Sequence, residues 1–115
     1  MRMSALIFSQ LHFLNALGAR ETSKQQVKEL LKHLNRKQFR AISEICLNLI
    51  KGRIDITREE KDFLKKYSKS IRIIGSVTKA QQVRKQYISP SLVVSLLRIC
   101  LPFVRKLFKD AENSG

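Results

Sequence analysis

The chain has no tryptophan, two prolines, two cysteines and four glycines in 115 residues. So little Gly and Pro, with no repeat, excludes collagen-like and low-complexity classes. Cys46 and Cys100 lie far apart, each inside an apolar run, SEICLNLI and LLRICLPF. No close set of Cys and His has ligand spacing, so no metal site is expected. The two cysteines read as buried free thiols, packed as small hydrophobes and suited to a reducing compartment. No uncharged apolar stretch reaches the length of about 18 residues that a transmembrane helix needs. A Gly-rich phosphate loop and a G-x-S-x-G turn are both missing. No cofactor and no catalytic residue is assigned, and the chain is not expected to be an enzyme.

What is present is a hydrophobic fraction of 43%, enough for a core. A chain this long buries roughly 65% of its unfolded surface without staples. The apolar positions repeat with a helical period. A first helix spans about Ser4 to Leu17, with Leu6, Phe13 and Leu17 on one stripe and Gly18 as its stop. The apolar run Ala5 to Phe8 is interrupted by Gln10, His12 and Asn15, too early for a secretory signal; an Arg-bearing presequence, acid-free before Glu21, is the alternative. A second helix starts at Thr22 or Ser23 behind the capping box Ser23–Gln26 and buries Val27, Leu30, Leu31 and Leu34. Asn35 and Gln38 form the next box, opening a third helix to Lys51 with Phe39, Ile42, Ile45, Cys46 and Leu49 inward. Gly52 ends it. In the link that follows, Ile54 and Ile56 face the core.

Thr57 and Glu60 make a third box. The fourth helix runs from there to Ile73 or Ile74, with Phe63, Leu64, Tyr67, Ile71 and Ile74 as its apolar stripe and Gly75 as its stop. A wetter helix over Thr78 to Ile88 is anchored by Val83 and Tyr87. Ser89 and Pro90 supply an N-cap and a first-turn proline for the last helix, to Lys109. That helix is apolar except for a narrow stripe of Ser91, Ser95, Arg98, Pro102, Arg105 and Lys109, and Pro102 is expected to kink it. The fold expected is all-α: one domain over 1–110, a compact bundle of five to six helices ending in a Pro-kinked apolar helix. Residues 1–18 are allowed a peripheral place, and 111–115 a disordered tail.

The charge is strongly one-sided. Lys and Arg number 23 against 9 Asp and Glu, a net charge of +14. Residues 1–62 mix signs, with 12 cations and 7 acids, but residues 63–109 hold 11 cations and no acid. Like charges on neighbouring helical turns repel, so such a run calls for a polyanion to screen it, nucleic acid first, with an anionic membrane, an acidic protein partner or a plain basic surface as the other readings. Lys65, Lys66, Lys69 and Arg72 are spaced to track a phosphate backbone along the fourth helix. Lys79, Arg84 and Lys85 extend the stripe. Arg36 and Lys37 open the third helix, where free backbone N–H groups suit a phosphate.

The candidate nucleic-acid contacts are therefore Arg36, Lys37, Lys65, Lys66, Lys69, Arg72, Lys79, Arg84 and Lys85. No base-reading motif accompanies them: the link from Lys51 to Thr57 is longer than a helix-turn-helix turn, and Tyr67 and Tyr87 read as core-edge residues rather than stacking platforms. Binding should be independent of base sequence.

The last helix carries other readings. Its wide apolar arc suits a central core helix, a homodimer seam through Leu92, Leu96, Ile99, Phe103 and Leu107, or a cationic amphipathic segment at a membrane surface. Asp55 reads as a turn residue, Glu59, Glu60 and Asp62 as a helix start, and His12 and His33 as surface residues without an acidic partner.

The order Lys37-Gln38 to Ala41, then Leu47-Asn48-Leu49-Ile50-Lys51-Gly52, then Lys61, Leu64 and Tyr67 resembles small basic proteins of Maverick/Polinton-type elements and their adintovirus-like relatives. The likeness spans roughly residues 24–108. Before the last helix the chain departs from that family's glycine-rich pattern, with Ile88-Ser-Pro-Ser91 instead. The resemblance implies a DNA-virus or mobile-element setting, an intracellular place in nucleus or virion, and a basic accessory protein that condenses or packages DNA.

Overall fold

Side-chain caps decide where the helices start. A computed structural model describes residues 5–76 and 88–114, and every element among them is helical. In order these are α1 (Ala5–Ser9), α2 (Leu11–Gly18), α3 (Lys24–Lys32), α4 (Arg36–Ile50), α5 (Arg58–Leu64), a 3-10 turn (Lys65–Tyr67), α6 (Ser68–Ser76) and α7 (Pro90–Ser114). The path reads as five arms, because α1 and α2 are one helix interrupted at Gln10, and the 3-10 turn links α5 to α6. All three expected capping boxes form. Gln26, Gln38 and Glu60 backbone N–H groups donate to the side chains of Ser23, Asn35 and Thr57 at 3.1, 2.8 and 3.1 Å. The reciprocal bonds close at 2.8, 3.0 and 2.8 Å. Ser89 Oγ accepts from Leu92 N–H at 3.1 Å, which starts α7 behind Pro90.

The core is one cluster drawn from every arm. Ile7, Leu14 and Leu17 of α1 and α2 meet Ile42, Ile45 and Cys46 of α4, Ile74 of α6 and Leu97, Cys100 and Val104 of α7, all fully buried. Each such aliphatic side chain contributes about 1.5–3 kcal/mol relative to an exposed one. The most extensive pairing is α4 with α6, followed by α2 with α7. Ile54 and Ile56 of the link are buried as expected. The radius of gyration, 13.4 Å, is that of a compactly folded chain of this length.

Several expectations need correction. The N-terminal helix is not peripheral, since it supplies Ile7, Leu14 and Leu17 to the interior. Its chain breaks at Gln10, whose N–H is shared between the Leu6 and Ile7 carbonyls. On α3 only Val27 is buried; Leu30 and Leu31, with Leu34 just past the helix, are half-buried, as is Leu49 on α4. The fourth helix is not continuous, because the chain tightens into the 3-10 turn at Lys65–Tyr67. Phe63 faces outward, 49% exposed. Helix α7 continues past Lys109 to Ser114, so the tail is helical to that residue. The helix expected over Thr78 to Ile88, with Val83 and Tyr87, lies outside the described residues except for Ile88.

Two glycines read as stops also allow close approach between helices. Gly18 is the last residue of α2 and Gly75 the last but one of α6, so both stand where their helices end. A Cβ on Gly75 would stand 2.9 Å from Leu47 N and 3.1 Å from Cys46 C, so α6 approaches the α4 backbone directly. A Cβ on Gly18 would stand 3.2 Å from Leu97 Cβ. Among the described glycines, Gly52 alone acts through its conformation, with φ of +69° just past α4.

Candidate nucleic-acid interface

The 3-10 turn divides the expected basic stripe into two short pieces. Lys65 and Lys66 sit on the turn, and Lys69 and Arg72 one helical turn apart on α6. All four are exposed. Their surroundings differ. Lys65 Nζ pairs with Asp62 Oδ1 at 3.0 Å. Lys66 Nζ lies 4.2 Å from the Phe63 ring centroid and 5.2 Å from that of Tyr67. This cation–π contact covers part of the outward Phe63 ring. Lys69 and Arg72 have no hydrogen bond or ion pair with any described residue. Among the described stripe members, these two have neither an ion pair nor a ring contact.

Arg36 and Lys37 are exposed on the first turn of α4. One of the backbone donors expected to greet a phosphate there is already used, because Gln38 N–H donates to Asn35 Oδ1. The other α4 landmark is distant: α6 crosses at Ser43, whose Oγ donates to the Ile74 carbonyl at 2.7 Å. Seven residues of helix separate that crossing from Arg36, roughly 10 Å at 1.5 Å per residue. Nothing among the described residues joins Arg36 and Lys37 to the α6 cations. Lys79, Arg84 and Lys85 lie outside the described residues.

Two cations on α7 are engaged with the fold. Arg98 Nε donates to the Gly18 carbonyl at 3.1 Å, and Arg105 Nη1 donates to Asn15 Oδ1 at 2.9 Å. Both staple α2 along α7. The polar stripe of α7 otherwise stands as read, with Ser91, Arg98, Pro102, Arg105 and Lys109 exposed. Of the five seam candidates, Leu92 and Leu96 are 1% exposed and belong to the core. Helices α2, α3 and α5 pack against α7. Ile99, Phe103 and Leu107 are half-buried.

Two concavities flank α3. The larger, about 740 Å³, has Phe13, Ala16 and Leu30 among its lining, with Glu21, Glu29 and His33. There His33 Nε2 lies 3.9 Å from Glu29 Oε2, so this histidine does have an acidic neighbour. The smaller, about 370 Å³, lies between α3, the 3-10 turn and α7, and its lining includes Lys24, Arg98, Tyr67, Ser91 and Ser95 and, among the described residues, no acid.

The two thiols are chemically quiet. Both are free and buried. Burial, and after it the nearness of Cys100, pushes the Cys46 thiol far up. Burial, and then Glu60, pushes Cys100 up to about 12. Neutral buried thiols are poor nucleophiles and poor ligands. Among the described residues no three His, Cys, Asp or Glu gather as a metal set. No described helix is long and apolar enough to cross a membrane. No family model, curated protein or solved structure matches the chain.

Proposed function

We propose that this protein binds double-stranded nucleic acid through the phosphate backbone, without reading base sequence. The observation that carries the reading is the pairing pattern on α5, the 3-10 turn and α6. Asp62 and the Phe63 ring occupy Lys65 and Lys66, while Lys69 and Arg72 stand exposed and unpaired within a run of 47 acid-free residues. Unpaired cations on a rigid helix release condensed counterions when they meet phosphates, which favours binding at low salt. In this reading the protein organises or packages a DNA genome, in the viral or mobile-element setting that its sequence resembles.

The test is fluorescence anisotropy of random-sequence duplexes across a salt series. About five phosphate contacts give a slope of log K against log salt of about −4 to −5. Several unrelated duplexes are expected to bind within a few-fold of one another. A flat salt response, or strong preference for one site, contradicts the reading.

A second reading, homodimerisation through the outer face of α7, is favoured by the half-exposed row Ile99, Phe103 and Leu107 at four-residue spacing. At the same end Phe8, 51% exposed, meets Phe108 edge-on at 5.0 Å. Pairing two copies would double the cationic surface and raise affinity through avidity. Sedimentation equilibrium of the wild type and of Ile99→Lys/Phe103→Lys tests it: a dimer that the variant splits is expected, and a monomeric wild type contradicts it.

A further inference from the structure

The small cleft between α3, the 3-10 turn and α7 has the chemistry of a phosphate pocket. Lys24 and Arg98 bring two cations to a space of about 370 Å³, and Thr22, Tyr67, Ser91 and Ser95 bring four hydroxyls. Val27, Pro90 and Val94 supply its apolar lining. No described carboxylate lines it, although the groove on the other side of α3 holds two, Glu21 and Glu29.

The donors are available. Arg98 spends its Nε–H on the Gly18 carbonyl, which fixes the guanidinium at the cleft and leaves the terminal N–H groups for another acceptor. Thr22 Oγ1 donates its one proton to the Ala16 carbonyl at 2.6 Å, so it holds the rim and is not a donor to an anion. Lys24 and the hydroxyls of Tyr67, Ser91 and Ser95 have no hydrogen bond with any described residue.

Two further facts point the same way. The first turns of α3 and α7 both open on the cleft, and neither contains an acid. The helix dipole favours acids at such positions, yet Lys24 stands at one of them. The local stability of α3 therefore argues against the residue that is there, and a bound anion would reverse the sign. Tyr67 also joins the cleft to the exposed stripe, since Lys66 sits over its ring.

We infer that this cleft takes the phosphate of a phosphate ester, with Lys24, Arg98, Ser91 and Ser95 as its ligands. The inference rests on the nucleic-acid reading, in which the ester is one backbone unit of the bound duplex. A free nucleotide offers the same chemistry, and the experiment separates the two sources.

The experiment uses the full chain with inorganic phosphate, adenosine 5′-monophosphate and a random-sequence duplex as probes. Binding is followed by anisotropy for the duplex and by backbone amide shifts for the small anions. The variants are Ser91→Asp and Lys24→Glu, with Glu29→Gln as a control in the neighbouring groove. Both charge changes place an acid in a first turn, so folding is preserved or improved and a loss reports on the anion. A thermal melt checks this.

For the wild type, phosphate or the nucleotide is expected to shift amides around residues 22–24 and 91–98. Duplex affinity is expected to fall at least tenfold in Ser91→Asp and several-fold in Lys24→Glu, and to change less than twofold in Glu29→Gln. Amide shifts with the nucleotide but unchanged duplex affinity in both cleft variants would overturn the backbone unit as the source and assign the cleft to a free nucleotide. No shift with either small anion, together with duplex affinity untouched by the cleft variants but lowered by Lys69→Gln/Arg72→Gln, would overturn the cleft and leave the nucleic-acid reading standing. A wild type that binds no duplex would overturn that reading itself.

Discussion

The two main helix pairings hold together by different means. Between α4 and α6 the contact is interior: Gly75 lets the backbones meet, and buried Ser43 donates to the Ile74 carbonyl. Between α2 and α7 the buried contact of Leu14 and Leu17 with Leu97 and Leu101 is supplemented at the rim by Arg98 and Arg105. The same charge thus has two jobs. On α7 two arginines are tied to the chain's own oxygens. On α6 the pairing is complete without Lys69 and Arg72, and these two contribute nothing visible to the fold. A net charge of +14 therefore overstates the cations free to act and does not say where they are.

The largest effect expected lies in the α4 interior, on which the first pairing depends. Ile45 is fully buried, and Ile45→Ala should lower unfolding free energy by about 2–5 kcal/mol in a denaturant titration. Leu49, half-buried on the same helix, should lose less on the same change. A cost below about 1 kcal/mol at Ile45 would mean that the inward face of α4 is wrongly assigned.

The glycines come next and set the two pairings side by side. Gly75→Ala drives a Cβ into the α4 backbone and should cost about 1–3 kcal/mol, the range for overpacking. Gly18→Ala meets only the Leu97 and Leu101 side chains and Arg98 N, none nearer than 3.2 Å, and should stay within about 1 kcal/mol of wild type, helped by alanine's better helix propensity. Equal melting shifts in the two variants would erase the distinction between an interior-locked and a rim-supported pairing.

The sequence marks these glycines as helix ends but not as points of close approach, for a physical reason. Capping boxes are local: Ser23, Asn35 and Thr57 each find their partner three residues on, so spacing and residue type suffice. A glycine needed for close approach is specified by another helix far away in the chain, and it looks the same as a glycine that ends a helix. The 3-10 turn was hidden for a like reason, since nothing in Lys65-Lys66-Tyr67 forbids an α-helix. The basic stripe was legible as composition, but which of its members are free depended on Asp62, Phe63 and the fold. The acid-free cleft was not legible at all, because Lys24 and Arg98 meet only once α3 packs on α7. The signal available was Lys24 itself, a cation in a first turn where an acid is favoured.

Smaller effects are expected at the rim. Arg98→Ala or Arg105→Ala each removes one exposed hydrogen bond between α2 and α7 and should cost about 0.5–1.5 kcal/mol. Lys69→Gln and Arg72→Gln should change stability by less than about 0.5 kcal/mol, as for surface sites without partners. Matching losses at all four positions would show that the α6 cations serve the fold as the α7 arginines do.

The most direct measurement is the salt dependence of duplex binding for the wild type beside Lys69→Gln/Arg72→Gln, with melting temperature recorded on the same samples. If the two side chains meet phosphates, the variant's slope of log K against log salt is shallower by about 2 and its melting temperature is unchanged. A variant with the wild-type slope, or one whose weaker binding follows a lower melting temperature, contradicts the claim that these unpaired cations are the protein's contact with a polyanion.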